Sequence, residues 1–184
     1  MGDVTDLLIR ARSNESAAMD ELVALVYPDL HRMARAKLAR NDTITLLDAT
    51  SMVHEAYLRL RDAGRIEAQC RAQFMAYAAQ VLRSVLVDFA RKRRADRRGG
   101  DAPHVTLATS IIDGVLADDD EIVRISDALD ELGQSDPRLK QVIEMRFFAG
   151  FSEQETAEVL GVTDRTVRRD WERARLLLSV TLKR

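Results

Sequence analysis

The sequence predicts an all-α fold of two small helical domains joined by a flexible acidic linker. Apolar residues recur at helical spacing in several segments, and no segment alternates as a half-buried strand does. The composition agrees, because a chain with 32% charged but only 5% aromatic residues, 8 glycines and 3 prolines is typical of soluble helical proteins. Residues 91–98 hold six bases and one acid, whereas Arg124 is the only base in 101–136. This segregation predicts domains at 1–98 and 121–184 around a linker at 99–120.

The first predicted helix starts near Glu15, with Asn14 as its cap. Its apolar stripe continues past Pro28, which lacks a backbone donor and clashes with the preceding turn. We therefore expect a kink or a break near Tyr27.

Two more helices complete the first domain. One begins near Asp48 and ends at Gly64, and a longer one carries an apolar stripe from Phe74 to Phe89 before it reaches the basic cluster. Three such stripes can bury one another as one compact body.

The second domain follows a stretch without periodicity. A fourth stripe spans 122–132 and is expected to close at Gly133, after which Asp136 and Pro137 supply a cap and a first-turn proline for another helix.

The segment 152–175 has the residue spacing of a helix-turn-helix. Its first helix needs a capping box, a small residue at the helix crossing, a glycine with positive φ at the turn and an apolar plug from the second helix. The sequence supplies these as Ser152 with Glu155, then Ala157, Gly161 and Val167, and Thr163 is placed to cap the second helix.

A basic outer face on the second helix suits docking in the major groove, because guanidinium groups pair with guanine edges or phosphates. A solvated charged face is the plainer alternative. The residues expected to contact this DNA are Arg165, Thr166, Arg168, Arg169 and Arg173.

Several classes of function are disfavoured. No apolar stretch approaches the roughly 20 residues that cross a bilayer, and no signal peptide precedes the first helix, so we expect a cytoplasmic protein without membrane insertion. Cys70 is the only cysteine, and His31, His54 and His104 are far apart in sequence, so we expect no metal and no cofactor. An enzyme with Cys70 as its nucleophile is a weak rival, and we expect no catalytic residues.

The order of these segments resembles a bacterial RNA polymerase sigma factor of the extracytoplasmic-function (ECF) group. The resemblance runs from about residue 14 to the end. It is most specific at residues 74–77, 88–91, 151–161, 166–168 and 173–175.

The resemblance implies a transcription initiation factor whose partners are core RNA polymerase and promoter DNA. The first domain would bind the clamp helices of the largest subunit through Asp48, Met52, Glu55 and Arg59, and the second would contact the flap of the second subunit and the minus-thirty-five element. A single-stranded minus-ten element would meet the long third helix. The residues placed there by resemblance are Tyr77, Arg83, Ser84, Asp88, Arg91, Lys92 and Arg94.

Simpler interpretations stay open for these residues. Tyr77 sits near the apolar stripe, so core packing competes with base contact, and the arginine cluster could be a generic basic tail. The acidic linker could only solubilise the chain instead of threading toward the RNA exit path.

The polymerase-binding helix departs from the family pattern. Where relatives carry Asp-Ala-Glu-Asp, this chain has Asp48, Ala49, Thr50 and Ser51, so two carboxylates have become hydroxyls. Phosphorylation adds a charge of about −1.5 to −2, and we therefore hypothesise that a Ser/Thr kinase acts on Thr50, or else Ser51, to switch on polymerase binding. The alternative is that both hydroxyls only decorate a capped first turn. An anti-sigma factor is a further candidate partner.

The main alternative function is a stand-alone helix-turn-helix transcriptional regulator. Such a protein binds a palindromic operator as a dimer, and the sequence has no heptad run or separate sensor domain for this purpose.

Overall fold

The computed structural model describes residues 3–13, 15–38, 48–63, 66–96 and 119–182, and every regular element within these ranges is a helix. The all-α prediction is therefore confirmed. In chain order the helices are α1 (Val4–Arg12), α2 (Ser16–Leu38), α3 (Ala49–Asp62), α4 (Arg71–Asp96), α5 (Asp119–Ser135), α6 (Pro137–Ile143) with a π-helical turn (Glu144–Ala149), α7 (Glu153–Leu160) and α8 (Asp164–Thr181).

Helix α1 was not predicted. Val4, Leu7, Leu8 and Ala11 lie at helical spacing on one face, and all four are buried against the core. The pattern spans little more than two turns, and a helix this short gains its stability from tertiary packing on α2 rather than from propensity.

Helix α2 continues without interruption through Pro28, so the expected break near Tyr27 does not occur. Val26 and Leu30 on either side of the proline are almost fully buried. Their burial offsets the roughly 3 kcal/mol that an internal proline costs. The proposed cap, Asn14, lies outside the described residues.

Helices α3 and α4 lie where the sequence places them. Asp48 has an extended backbone, and its carboxylate accepts a hydrogen bond from the backbone N–H of Ser51 at 2.7 Å, which caps α3. The predicted end at Gly64 lies outside the described residues. In α4 the fully buried Phe74 and Leu86 anchor the apolar stripe.

Helix α5 begins at Asp119, inside the stretch predicted as linker, and it ends at Ser135, beyond the predicted stop at Gly133. The acidic residues at its start are favoured there by the helix dipole. A side chain at Gly133 would meet Cδ of Lys140 at 2.5 Å. This glycine therefore leaves room for the Lys140 side chain of α6, and it does not end α5.

One hydrophobic core joins α1–α4 to α5, α6 and the C-terminal part of α8. Helix α4 packs against both α5 and the π-helical turn, so the two predicted domains are in contact. The rest of the predicted linker, 97–118, lies outside the described residues. A smaller cluster of Val142, Ala157 and Val167 fixes α7 and α8 on α6.

Candidate nucleic-acid interface

The turn between α7 and α8 has the local geometry that the sequence predicts. Ser152 Oγ accepts from the Glu155 N–H at 3.1 Å, while the Glu155 carboxylate accepts from the Ser152 N–H at 2.8 Å. These bonds hold the pKa of Glu155 below its ordinary value. Gly161 has φ 64°, and the Thr163 hydroxyl accepts from the Thr166 N–H. Both ends of α7 and the start of α8 are thus fixed locally.

The outer face of α8 is basic and open to solvent. Arg165, Arg168 and Arg169 are exposed, and with Thr166 they line an open groove that also includes Thr163 and Glu172. Arg173 is exposed one turn further along the helix. A duplex could approach this face without displacing another helix.

The arginines of this face are not equally available. Arg168 donates two hydrogen bonds to Glu153 on α7, at 2.8 and 3.2 Å, and these hold the pKa of the Glu153 carboxyl below its ordinary value. Arg169 lies 3.5 Å from the buried carboxylate of Asp170. Arg168 is therefore the arginine that an intramolecular partner engages most directly.

Buried contacts hold α8 on the rest of the protein. Asp170 is almost fully buried and forms an ion pair at 2.8 Å with Arg138 of α6. The Trp171 ring lies close to the guanidinium groups of Arg146 and Arg175, at 5.2 and 5.8 Å from its centroid. These contacts fix the rotation of α8 and hence the direction of its basic face.

The surface of α3 exposes hydroxyl groups where acidic residues were expected. Thr50 and Ser51 are exposed in the first turn of the helix. His54 and Leu58 continue the exposed row from Thr50 at four-residue intervals. Met52, a predicted polymerase contact, is 1% exposed and lies in the core instead.

Arg59 connects α3 to α4. Its guanidinium forms an ion pair with Glu55 on its own helix and donates to Ser84 and Asp88 on α4, at 2.9 and 2.8 Å. Two predicted polymerase contacts and two predicted DNA contacts thus belong to one hydrogen-bonded cluster.

Tyr77 is half-buried, and it lines a cavity of about 340 Å³ beside the loop that precedes α4. The tyrosine packs against the core and also faces this space. Core packing and base contact, the two interpretations of Tyr77, are therefore compatible. The other lining residues are Ile66, Glu67, Ala68 and Gln73, which the sequence analysis missed. Ile66, Glu67 and Ala68 lie in a segment without periodicity, whereas Gln73 lies on α4 one turn before Tyr77. Only their position beside Tyr77 could have indicated them.

The predicted DNA-binding arginines of α4 face α5. Arg83 donates to Ser126 at 2.8 Å and to Asp130 at 3.0 Å, and it lies 3.3 Å from Glu144. Arg91 pairs with Asp127 and Arg94 with Asp120, at 2.8 and 2.9 Å, whereas Lys92 is exposed. The charge segregation of the sequence thus reappears as contact between a basic helix and an acidic helix.

The last turns of α8 carry an exposed apolar patch. Leu176, Leu177 and Val180 are 66%, 41% and 50% exposed, although Leu178 between them is buried. Exposed aliphatic side chains grouped in this way often mark a protein contact.

A family model described as ECF sigma factor matches residues 1–184. No curated protein matches the chain significantly. Among the described residues, no helix is both long and apolar enough to span a membrane.

Proposed function

The chain belongs to the ECF sigma factor family, and we propose that its N-terminal helices read the minus-ten element while α7 and α8 read the minus-thirty-five element. As a member of this family it is a transcription initiation factor that works with core RNA polymerase and promoter DNA. The observation that carries the proposal is the family match over the full length, because the match includes both helical parts in their order.

The basic face of α8 supports the minus-thirty-five assignment. Arg165 and Arg169 are exposed beside Thr166, and the buried Asp170 and the half-buried Trp171 hold this face toward solvent. In this proposal α7 and α8 act as a helix-turn-helix, with α8 in the major groove.

The cavity at Tyr77 supports capture of an extruded minus-ten base. Unstacking a base costs a few kcal/mol, which stacking and hydrogen bonding in a pocket must recover. Tyr77 offers an aromatic surface, while Gln73 and Glu67 offer polar groups at the same cavity. Lys92 is exposed further along α4 and could hold a phosphate of the same strand.

Two surfaces are the proposed polymerase contacts. The row formed by Thr50, His54 and Leu58 on α3 would meet the clamp helices, together with Asp48 and Glu55. The apolar patch at the end of α8 would meet the flap of the second subunit. An anti-sigma factor could compete for either surface.

Phosphorylation of Thr50 is proposed as the switch for clamp binding. Thr50 is exposed in the first turn of α3, where the helix dipole favours a phosphate, and His54 lies one turn further along. The added charge would replace the carboxylates that are missing from this helix. The backbone N–H of Ser51 and its hydroxyl both bind the Asp48 carboxylate and hold the pKa of that carboxyl low, whereas Thr50 contributes only its backbone N–H. Thr50 is therefore the better candidate.

The switch can be tested by core-polymerase affinity. We expect Thr50→Glu to bind core polymerase more tightly than Thr50→Ala, with Ser51→Ala as the matched control. Glutamate carries only part of the charge of a phosphate, so protein treated with a Ser/Thr kinase should show the larger gain in affinity. Equal, tight binding by all the variants would remove the switch.

Run-off transcription tests the function itself. Purified core polymerase is supplied with genomic promoter fragments and with the wild-type, kinase-treated or Thr50→Glu protein. We expect transcripts that depend on the added protein. Specific binding to a duplex without polymerase, and no factor-dependent transcript, would favour the stand-alone regulator instead.

A further inference from the structure

The basic face of α4 is occupied by another part of the same chain. Three of the arginines assigned to the minus-ten strand, Arg83, Arg91 and Arg94, form ion pairs with α5. Arg93 lies 3.5 Å from Asp119 of α5, so four arginines between the middle and the C-terminal end of α4 contact α5. Each acid engages the guanidinium group that a DNA phosphate would need if the arginine bound DNA.

The contact is a packed interface as well as a row of surface ion pairs. Arg83 is 11% exposed and Glu144 2% exposed, and Gln80 donates to the Glu144 carboxylate at 2.9 Å. Ser126, which accepts from Arg83, is 4% exposed. A DNA strand could not reach Arg83 while α5 and the π-helical turn remain in place.

While α5 is packed on α4, the protein is also too short to reach both promoter elements. Centres of elements 25 base pairs apart lie about 85 Å apart along B-form DNA, since each pair adds about 3.4 Å. A compact body of this chain length is about 40 Å across. The stretch between Asp96 and Asp119 spans about 75 Å at full extension, and the width of the two helical parts adds to this reach. Covalent geometry therefore permits their centres to lie about 85 Å apart.

We propose that the acidic face of α5 (Asp119, Asp120, Asp127 and Asp130) acts as an internal mimic of the minus-ten DNA backbone, which keeps the free protein closed until polymerase separates α5 from α4. The inference rests on the proposed function, because it takes the basic face of α4 as the DNA-binding surface. The closed state is independent of Thr50, which is proposed to control polymerase binding and not the DNA-binding surface of α4.

The first test neutralises two exposed acids of α5. The double variant Asp120→Asn/Asp127→Asn removes the partners of Arg94 and Arg91 without changing α4. Its control, Glu131→Gln/Glu158→Gln, makes the same change in net charge at exposed positions that have no ion pair with α4 among the described residues. Circular dichroism should give the same helix content for both.

The readout is the affinity for a fluorescein-labelled single-stranded oligonucleotide of mixed sequence at low salt. Each exposed ion pair contributes a factor of about two, so we expect the double variant to bind about fourfold more tightly than the control. Equal affinity of variant and control would overturn the proposal.

The second test measures the closed state directly in the full chain. Spin labels are placed on the native Cys70, which is exposed just before α4, and on Glu158→Cys, which is exposed on α7. We expect one short distance in the free protein and a much longer one after core polymerase is added. In the Asp120→Asn/Asp127→Asn background, the long population should increase before polymerase is added.

The two proposals fail in different ways. If the protein directs transcription but the distance between the spin labels is long and unchanged by polymerase, the proposed closed state is wrong and the proposed function stands. If the distance is short but no factor-dependent transcript forms, the proposed function fails, and α5 then covers a surface with no role in initiation.

Discussion

Gly161 is the residue on which the turn between α7 and α8 depends. Its φ of 64° lies in the left-handed region, and an added Cβ would meet no atom within 4 Å. The preference for glycine is therefore conformational and not steric. Val162 follows it directly and packs, half-buried, on the small cluster around Val167, so the turn also sets the position of α8.

Gly161→Ala should lower the free energy of unfolding by about 1 to 2 kcal/mol, since a non-glycine residue pays that cost in the left-handed region. Denaturant unfolding measures this change. Gly161→Asn is the matched control, because asparagine tolerates the same φ, and it should cost clearly less. Equal losses for both variants would mean that the cost lies elsewhere than in the backbone angle.

At the scale of single elements, α1 shows how a short helix is held by one buried face. Leu8 is 1% exposed, whereas its neighbour Ile9 is 58% exposed. Substitutions at these two neighbours therefore compare the loss of a buried side chain with the loss of an exposed one in the same helix.

Leu8→Ala should lower the free energy of unfolding by about 2 to 5 kcal/mol, because it removes buried methyl groups and leaves a cavity. The exposed control Ile9→Ala should change it by less than about 0.5 kcal/mol. Thermal or urea unfolding of the two variants and the wild type measures both changes. A small effect of Leu8→Ala would indicate that α1 detaches at little cost.

The basic face of α8 is the second element with a measurable prediction. Arg168 is already bound by Glu153, so a DNA contact must break or share that pair, whereas Arg165 has no ion-pair partner among the described residues. Arg165→Ala and Arg169→Ala should each cost about 1 to 3 kcal/mol of promoter binding if they make bidentate base contacts.

Arg168→Ala should cost less than either of these changes. The measurement is the affinity of the polymerase-bound factor for promoter and scrambled duplexes at two salt concentrations. A uniform, salt-sensitive loss on both duplexes would assign a residue to phosphate contact instead.

At the scale of the whole molecule, Glu144 marks the junction of the two helical parts. Burial in the π-helical turn raises the pKa of its carboxyl, and this effect outweighs the nearby cations Arg83 and Lys140, while Asp130 acts in the same direction as burial. The folded protein therefore holds a proton on Glu144 at a pH where the unfolded chain has released it.

The pH dependence follows from this difference. The contribution of Glu144 to stability is largest at a pH below the ordinary glutamate pKa, and it decreases as the pH rises through the raised value. Glu144→Gln removes this dependence. We expect the stability of the variant minus that of wild type, measured as the free energy of unfolding, to be larger at pH 8 than at pH 5. The same difference at both pH values would contradict the assignment.

Local features of the fold were predictable because they depend on neighbours in sequence. The caps at Asp48, Ser152 and Thr163 and the glycine turn at Gly161 each involve residues at most a few positions apart. A kink or a break was expected near Tyr27, and the break does not occur, because distant helices bury the residues that flank Pro28.

The sequence by itself determined the helical class, most helix positions, the capped turn before α8 and the separation of basic and acidic segments, because periodicity and charge are properties of short stretches. Only the tertiary structure decided that Arg59 joins α3 to Ser84 and Asp88 of α4, that residues 66–68 form a cavity with Tyr77, and that α5 lies on α4. These depend on which surfaces meet across long separations in the chain. An ion pair such as Arg91 with Asp127 forms only when folding packs two helices together that are distant in sequence, which brings the charged atoms to 2.8 Å.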